Sequence, residues 1–302
     1  MAVRVAAAAA ALLAAVGSSD ITRAEPATAS ASPAPPPGGA RRIVSLAPSV
    51  TETVFALGEE ARLVAVSDFC DYPPAAQRLP RAGSYLTPSV ETIVALRPDA
   101  VVGVPTPGNR PSVERLRALG VNVVLVGETT IADAFDAMRT VGRWVDREAD
   151  AEALVARLER ELAEVRERTA ARPRRRVLFV VGHDPLVVAG SGLFIDELID
   201  VAGGRNVAAG GSQRWPRLSL ETVVAEAPDV IVDGAMGSEG GAALTAWWEP
   251  YRSVPAVREG RLRAQHSDAL LRPGPRLAEA ARQLEALVWQ DSSPPATAGA
   301  AR

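Results

Sequence analysis

The chain has 302 residues, enough for two domains of about 150 residues each. Its hydrophobic content of 47% with only 4% aromatic residues fits a globular α/β protein with an aliphatic core. The formal net charge of −3 excludes the strongly basic surface of a nucleic-acid-binding protein. The single cysteine, Cys70, excludes an internal disulfide and a CxxC metal site.

The N-terminus has the pattern of an export signal. Arg4 precedes an apolar stretch, Val5–Val16, that is too short to span a membrane and has the length of a signal-peptide core. We therefore expect a signal peptide and leader over residues 1–31, with alternative cleavage sites, and a flexible segment over residues 32–41. Because no cysteine follows the apolar core, we expect a soluble exported protein and no lipid anchor.

Residues 42–145 predict a first lobe in which strands and helices alternate. Strands are predicted at Arg42–Leu46 and Leu63–Val66. The segment Ser49–Glu52 has the spacing of a capping box that opens a helix, and Pro88 is predicted at the first position of the next helix. Alternation of this kind is typical of a parallel sheet covered by helices.

A charged helical segment and a second lobe follow. Residues 146–172 predict a long rigid helix, because apolar residues recur at helical spacing among paired Glu and Arg residues. The βα alternation resumes over residues 173–290, and residues 291–302 predict a disordered tail. We therefore predict an α/β protein with two βα lobes, parallel sheets, a long connecting helix and a ligand cleft between the lobes.

One sequence motif occurs twice in the chain. Ser89–Val102 and Ser219–Val232 both read as a Ser-capped helix, a Pro-Asp break and an apolar strand. Glu91 and Glu221 occupy matching positions in the first turn of the two helices. Two equivalent acids on two similar lobes predict a surface that meets a two-fold partner.

Several loop residues are candidates for ligand contact. Phe69 follows a predicted strand, while Tyr85 and Trp215 precede the two repeated helices by the same number of residues. Aromatic side chains at the rim of a crevice suit a flat, largely apolar ligand. Asp268 and Arg272 lie just before the last helix, where they form either a surface ion pair or a polar contact to amide groups of a ligand.

Nothing in the chain has the pattern of a catalytic centre. Nucleophile motifs, phosphate-binding loops and metal-ligand clusters are all missing from the sequence, so we expect no enzyme and no metal site. His183 and His266 are interpreted as structural residues, as is Cys70. Trp247 and Trp248 are interpreted as packing residues on a helix.

Taken together, these segments resemble the periplasmic cobalamin-binding proteins of ATP-binding-cassette importers, a family of metal-chelate receptors whose lobes are joined by a long helix. The resemblance extends from Arg42 to about Trp289. The segments that carry it are Ile43–Glu52, Ser67–Pro74 with its Phe-Cys-Asp-Tyr-Pro-Pro run, Gly83–Tyr85, both repeats, Arg214–Pro216, and Asp268 with Arg272.

The resemblance implies a role for each candidate residue. Phe69, Tyr85 and Trp215 match aromatic positions that line the corrinoid slot, although Tyr85 stands where the best-known cobalamin binder has a tryptophan. Asp268 and Arg272 match a polar pair that contacts the ligand. The implied ligand is cobalamin or a related corrinoid, which is transported and does not act as a catalytic cofactor.

The resemblance also implies the partner. Glu91 and Glu221 match two acids that dock onto arginines of a dimeric permease. We therefore expect a periplasmic monomer that binds a small molecule and a permease, without nucleic-acid partners.

Other ligands and other classes of protein remain as alternatives. A haem receptor requires an axial ligand such as His183, Tyr85 or His266. An iron-siderophore receptor requires cationic side chains, for which Arg214 and Arg217 would join Arg272. A hydrolase requires an activated nucleophile beside a base, and a module that only binds a partner protein predicts no small-molecule ligand.

Overall fold

The computed structural model describes residues 33–235 and 240–290. The predicted signal peptide and leader at 1–31 and the predicted tail at 291–302 lie outside the described residues. No helix in the described ranges is both long enough and apolar enough to cross a membrane.

The described residues form two compact α/β units, each built on its own sheet. The first unit contains residues 33–161 and the short segment Arg272–Leu277. The second unit contains the remaining described residues up to Leu271 and those from Ala278 onward. The prediction of an α/β protein with two βα units is confirmed.

The sheet of the first unit has four parallel strands in the order β2-β1-β3-β4. Val44, Leu46 and Val101 lie in its buried core, which the helices cover. The strands are β1 (Ile43–Ser45), β2 (Leu63–Val66), β3 (Ala100–Gly103) and β4 (Val123–Leu125), and the helices are α1 (Pro48–Ala56), α2 (Val90–Ala95), α3 (Arg110–Ala118) and α4 (Ile131–Trp144).

A long helix, α5, spans the 22 residues Glu148–Thr169, and its two ends belong to different units. Helix α4, which precedes it, begins with a capping box in which Thr130 and Asp133 bond to each other's backbone. Gly142 permits close packing of the two helices, since a Cβ atom at position 142 would overlap Cβ of Ala151. The predicted long helix is therefore confirmed.

The second unit has a five-stranded sheet in the order β6-β5-β8-β9, with β7 also paired to β5. All pairs are parallel except β5 with β6, so the prediction of a parallel sheet is wrong at this edge. Only Asp184 and Pro185 separate these two strands, and so short a link permits only an antiparallel pair. The strands are β5 (Arg175–His183), β6 (Leu186–Val188), β7 (Gly204–Asn206), β8 (Val230–Asp233) and β9 (Leu262–Ala264).

The helices of the second unit pack around an apolar core that contains Leu178, Ile231 and Trp248. A short 3₁₀ helix, Asp268–Leu271, precedes the point where the chain enters the first unit again. The helices are α6 (Phe194–Val201), α7 (Leu220–Glu226), α8 (Gly240–Trp248), α9 (Pro255–Arg258) and α10 (Leu277–Trp289), the last of which begins in the first unit.

The two repeated segments form equivalent elements. Ser89 caps α2 by accepting a hydrogen bond from the backbone N–H of Thr92, and Ser219 caps α7 through Thr222 in the same way. Each helix leads into a parallel strand, β3 or β8. Pro88 precedes the cap, so the prediction that it occupies the first helical position is wrong.

The capping box predicted at Ser49–Glu52 is also wrong. Helix α1 begins at Pro48, and its N-cap residue, Ala47, makes no side-chain capping bond. The hydroxyl of Ser49 donates instead to Glu128, and the carboxylate of Glu52 accepts hydrogen bonds from Arg276. The tertiary structure thus uses these two side chains for long-range contacts.

Candidate functional site

An aromatic pair lies beyond the carboxyl end of the first unit's sheet, where open α/β sheets bind ligands. The rings of Phe69 and Tyr85 meet edge to face, with their centroids 5.2 Å apart, and both side chains are partly buried. The loops that carry them are joined by a hydrogen bond from the Asp68 N–H to the Gly83 carbonyl at 3.0 Å. Gly83 has φ +87°, a conformation that favours glycine. The structure therefore brings these two predicted residues together.

Beside this pair lies a buried network of carboxylates and guanidinium groups. Arg272 donates to Oδ1 of Asp71 at 2.6 Å and lies 3.6 Å from Oε1 of Glu52. Arg276 contacts both oxygens of Glu52, at 2.7 and 2.8 Å, and its guanidinium lies 4.0 Å from the ring centroid of Tyr72. A carboxylate that is 2% exposed is thus paired with a guanidinium that is 11% exposed.

A third carboxyl, Glu128, lies in the loop that follows β4. Ser49 donates its hydroxyl hydrogen to Oε1 of this carboxyl. Although residue 128 is partly exposed, burial raises the pKa of the carboxyl to about 8, with a further increase from the negative charge of Glu52 and an opposing effect of Arg272. At neutral pH the group is therefore predominantly the uncharged acid.

Glu128 also affects the aromatic pair. Burial raises the pKa of the Tyr85 phenol, and Glu128, which is ionised at the high pH where the phenol titrates, raises it further. The phenol of Tyr85 therefore keeps its proton across the physiological pH range. In this state Tyr85 offers an aromatic surface and a phenol O–H that can donate a hydrogen bond.

The second unit carries two more of the predicted ligand contacts. Trp215 is partly buried, and its loop is fixed to the edge of the sheet by a hydrogen bond from the Gly190 N–H to the Arg214 carbonyl at 2.8 Å. Only glycine fits at position 190, since a Cβ atom there would overlap the Gln213 carbonyl oxygen. Asp268 is partly buried at the start of its 3₁₀ helix.

His183 and Trp248 are held by the same buried carboxylate, that of Asp233. Nε2 of His183 lies 2.7 Å from Oδ2 of Asp233, and the indole N–H of Trp248 donates to the same oxygen at 3.1 Å. The ring of Trp247 packs on His183, with the centroids 4.1 Å apart. These contacts support the interpretation of His183 as a structural residue, and the complete burial of Trp248 confirms its packing role. His266 is exposed.

Cys70 is fully buried, and its sulfur contacts the hydroxyls of Thr51 and Ser67, both at 3.1 Å. Burial raises the pKa of this thiol, so it is not activated as a nucleophile or a metal ligand. Within 33–235 and 240–290, no group of three or more His, Cys, Asp or Glu side chains could hold a metal ion.

The two acids predicted to dock a partner are both exposed. Glu91 lies in the first turn of α2, and Glu221 lies at the same place in α7. One turn later, each helix exposes a valine, Val94 at 37% and Val224 at 38%. Residues three apart share a helix face, so each repeat presents an acid and an apolar side chain together.

Known proteins share this arrangement of elements. Residues 43–269 match the family described as Periplasmic binding protein. The chain belongs to this family. It is a substrate-binding protein and not an enzyme, and the resemblance to the cobalamin-binding group is confirmed at the level of the family.

Three relatives illustrate the range of ligands within the family. The Vitamin B12-binding protein of Salmonella typhi is 31% identical over 245 residues, which cover 81% of this chain and 89% of that protein. The structure of the periplasmic vitamin B12 binding protein BtuF of Vibrio cholerae has a TM-score of 0.72 and 29% identity, covering 82% of this chain and 96% of that one. The periplasmic heme-binding protein RhuT of Roseiflexus sp. RS-1, solved in apo form, has a TM-score of 0.74 and 31% identity, covering 83% and 98%.

Sequence reasoning missed four residues of the first unit's network: Glu52, Asp71, Glu128 and Arg276. The sequence pattern assigns Glu52 to a helix cap and gives the other three no role of their own. One signal pointed to Glu128, which follows strand β4 at the end of the sheet where functional side chains gather. Nothing in the local sequence indicated that Arg276 reaches Glu52, because 224 positions separate the two residues.

Proposed function

We propose that this protein binds cobalamin or a related corrinoid in the periplasm and delivers it to the permease of an ATP-binding-cassette importer. The observation that carries this proposal is the Phe69–Tyr85 pair beside the Arg272–Asp71 contact, in a chain 31% identical to a vitamin B12-binding protein. The protein acts as an exported monomer.

The chemistry of the candidate site suits a corrinoid. A corrin ring is broad and largely apolar, and its rim carries amide groups. Phe69, Tyr85 and Trp215 contact the ring, where aromatic packing adds about 0.5–1.5 kcal/mol to the effect of buried area. Asp268 accepts hydrogen bonds from amide N–H groups, and Arg272 donates to amide oxygens.

Haem is the second candidate, because the heme-binding protein of Roseiflexus is as similar in sequence as the vitamin B12-binding relatives. Haem iron needs an axial ligand from the protein. Among the candidate ligands, Nε2 of His183 is already bonded to Asp233. This contact favours the corrinoid, which carries its own axial ligands to cobalt.

Delivery uses the two repeated helices. Glu91 with Val94 and Glu221 with Val224 form two similar patches, each suited to an arginine beside an apolar side chain on a dimeric permease. The hydroxyl of Ser219 lowers the pKa of Glu221, which keeps that acid charged at neutral pH.

Titration calorimetry of the purified protein with cyanocobalamin and with haemin tests the ligand. We expect saturable binding of cyanocobalamin at one site, and weaker or undetectable binding of haemin. Tight haemin binding with a shifted Soret band and no heat with cyanocobalamin would establish the haem alternative. Absence of binding to either ligand would contradict both.

Uptake of labelled cyanocobalamin by cells that express the matching permease tests delivery. We expect the double variant Glu91→Ala, Glu221→Ala to bind the ligand normally and to lose most of the uptake. Glu114→Ala is the matched control, since Glu114 is also an exposed helical acid. Normal uptake by the double variant would rule out the docking role.

A further inference from the structure

We propose that Glu128 is a further ligand-binding residue of the first unit, and that it acts as a neutral acid which donates a hydrogen bond to a carbonyl or carboxyl oxygen on the rim of the ligand. This inference rests on the proposed function, since it concerns the same candidate site. The position of Glu128 supports this role. Glu128 follows β4, Ser49 follows β1, and Phe69 follows β2, so all three lie beyond the carboxyl ends of parallel strands in one sheet.

The charge balance of the network supports an uncharged Glu128. The described members of the network are three carboxyl groups (Glu52, Asp71 and Glu128) and two guanidinium groups (Arg272 and Arg276). Glu52 and Asp71 each contact an arginine within 2.8 Å, whereas the described hydrogen bond of Glu128 comes from a neutral hydroxyl, that of Ser49. With Glu128 protonated the formal charges of these five groups sum to zero, and with Glu128 ionised they sum to −1.

A neutral Glu128 has a hydrogen-bond donor to offer. Ser49 donates to Oε1, so the carboxyl uses one oxygen as an acceptor inside the protein. A protonated carboxyl has one O–H left to donate, and it needs an acceptor. Residue 128 is partly exposed, and it lies beyond the carboxyl ends of the same parallel sheet as the aromatic pair. An oxygen on the rim of a flat ligand that packs on Tyr85 is the acceptor we assign to it.

The groups that face Glu128 determine how it responds to pH. They are Ser49 and Glu52 on α1, Tyr85 in the loop before α2, and Arg272 in the segment before α10. Glu52 and burial oppose ionisation, and Arg272 promotes it. The pKa of Glu128, about 8, lies between pH 6.5 and 9.5, whereas the Tyr85 phenol, whose pKa is raised above its ordinary value near 10, keeps its proton over this range.

The test compares three proteins by calorimetry with cyanocobalamin at pH 6.5 and pH 9.5. Glu128→Gln keeps a donor N–H and cannot ionise, while Glu128→Leu removes the donor and keeps most of the volume. For the parent protein we expect affinity to fall by roughly 3- to 10-fold at the higher pH, which corresponds to one hydrogen bond. The Gln variant should bind like the parent at pH 6.5 without that fall, and the Leu variant should be weaker by a similar factor at both pH values.

Each outcome decides a separate point. Equal pH dependence in the parent and the Gln variant, or unchanged affinity in the Leu variant, would overturn the role of Glu128 while leaving the proposed function intact. If the parent binds haemin instead of cyanocobalamin, the same series is run with haemin. A larger pH effect is then expected, since haem propionates are repelled by an ionised Glu128. Glu114→Gln is the control for a charge change elsewhere, and far-UV circular dichroism melting verifies that each variant folds.

Discussion

The buried ion pair between Glu52 and Arg276 gives the most direct quantitative prediction. Glu52→Gln keeps the shape of the side chain and removes the negative charge that faces Arg276 at 2.7 and 2.8 Å. Removal of one partner from a buried pair costs roughly 3–5 kcal/mol, because the remaining charge stays in a poorly solvated position. We therefore expect the free energy of unfolding of the first unit to fall by that amount at pH 7.

The chain supplies a matched control. Arg110 and Glu114 form a pair of nearly equal length, 2.9 Å, but their side chains are 79% and 62% exposed. Glu114→Gln should cost less than about 1 kcal/mol, as is usual for exposed pairs. The two pairs have nearly equal contact distances, whereas Glu52 is buried and contacts two arginines and Glu114 is exposed and contacts one, so the comparison measures the combined effect of burial and of the additional contacts.

Urea unfolding followed by far-UV circular dichroism measures the total loss, and amide hydrogen exchange locates it. In the Glu52→Gln variant, exchange should accelerate in α1 and remain unchanged in α7, which belongs to the second unit. A loss below about 1 kcal/mol, equal to that of the exposed pair, would refute the argument that burial makes this ion pair important.

Three further predictions follow from the same structure. Glu128→Gln should flatten the pH dependence of the free energy of unfolding. Between pH 4.5 and about 8 the native parent protein keeps a proton on Glu128 that the unfolded chain has lost, so the parent becomes less stable as the pH rises through this window. Urea unfolding should therefore show that the stability of the variant relative to the parent increases by roughly 3–5 kcal/mol between pH 5 and pH 9. Trp215→Ala should weaken cyanocobalamin binding by about tenfold or more in calorimetry, and Trp215→Phe should lose less affinity because it keeps an aromatic ring. An unchanged affinity of the alanine variant would contradict the aromatic contact. Gly142→Ala should lower the free energy of unfolding by about 1–3 kcal/mol, because the new Cβ atom would overlap Ala151. Gly210→Ala is the control and should have no such effect, since nothing lies within 4 Å of a Cβ atom at that position. Equal melting temperatures of the two variants would contradict the close packing of α4 and α5.

Much of the fold could be predicted from local patterns. Ser89 and Ser219 identified two helix starts because an N-cap bond joins residues only three apart, so the signal lies within one turn. The long helix α5 was equally visible, since its apolar and charged residues follow a helical period over 22 residues. The antiparallel direction of the edge strand β6 could not be predicted from the sequence. An apolar run such as Leu186–Val188 looks the same in parallel and antiparallel sheets, and the direction of β6 depends on the two-residue link that precedes it.

The residues of the candidate site also differ in whether the sequence alone could identify them. Phe69, Tyr85 and Trp215 could be selected from sequence, because scarce aromatic residues in loops that follow strands or precede helices are visible without coordinates. Their roles in binding remain proposals. The roles of Glu52 and Glu128 depended on the tertiary structure, because capping signals and buried ion pairs use the same residue types. Only the folded chain shows that Ser49 donates to Glu128, and that Glu52 pairs with an arginine 224 positions away.

The sequence by itself determined the two α/β units, the repeated Ser-capped helices and the family, since each depends on residues close together in the chain or on a pattern that extends along it. Only the tertiary structure determined how readily the carboxyl group of Glu128 ionises. That property depends on burial and on charges brought from distant segments, as Arg272 and Glu52 are brought to Glu128, and neither is encoded at any single position of the chain.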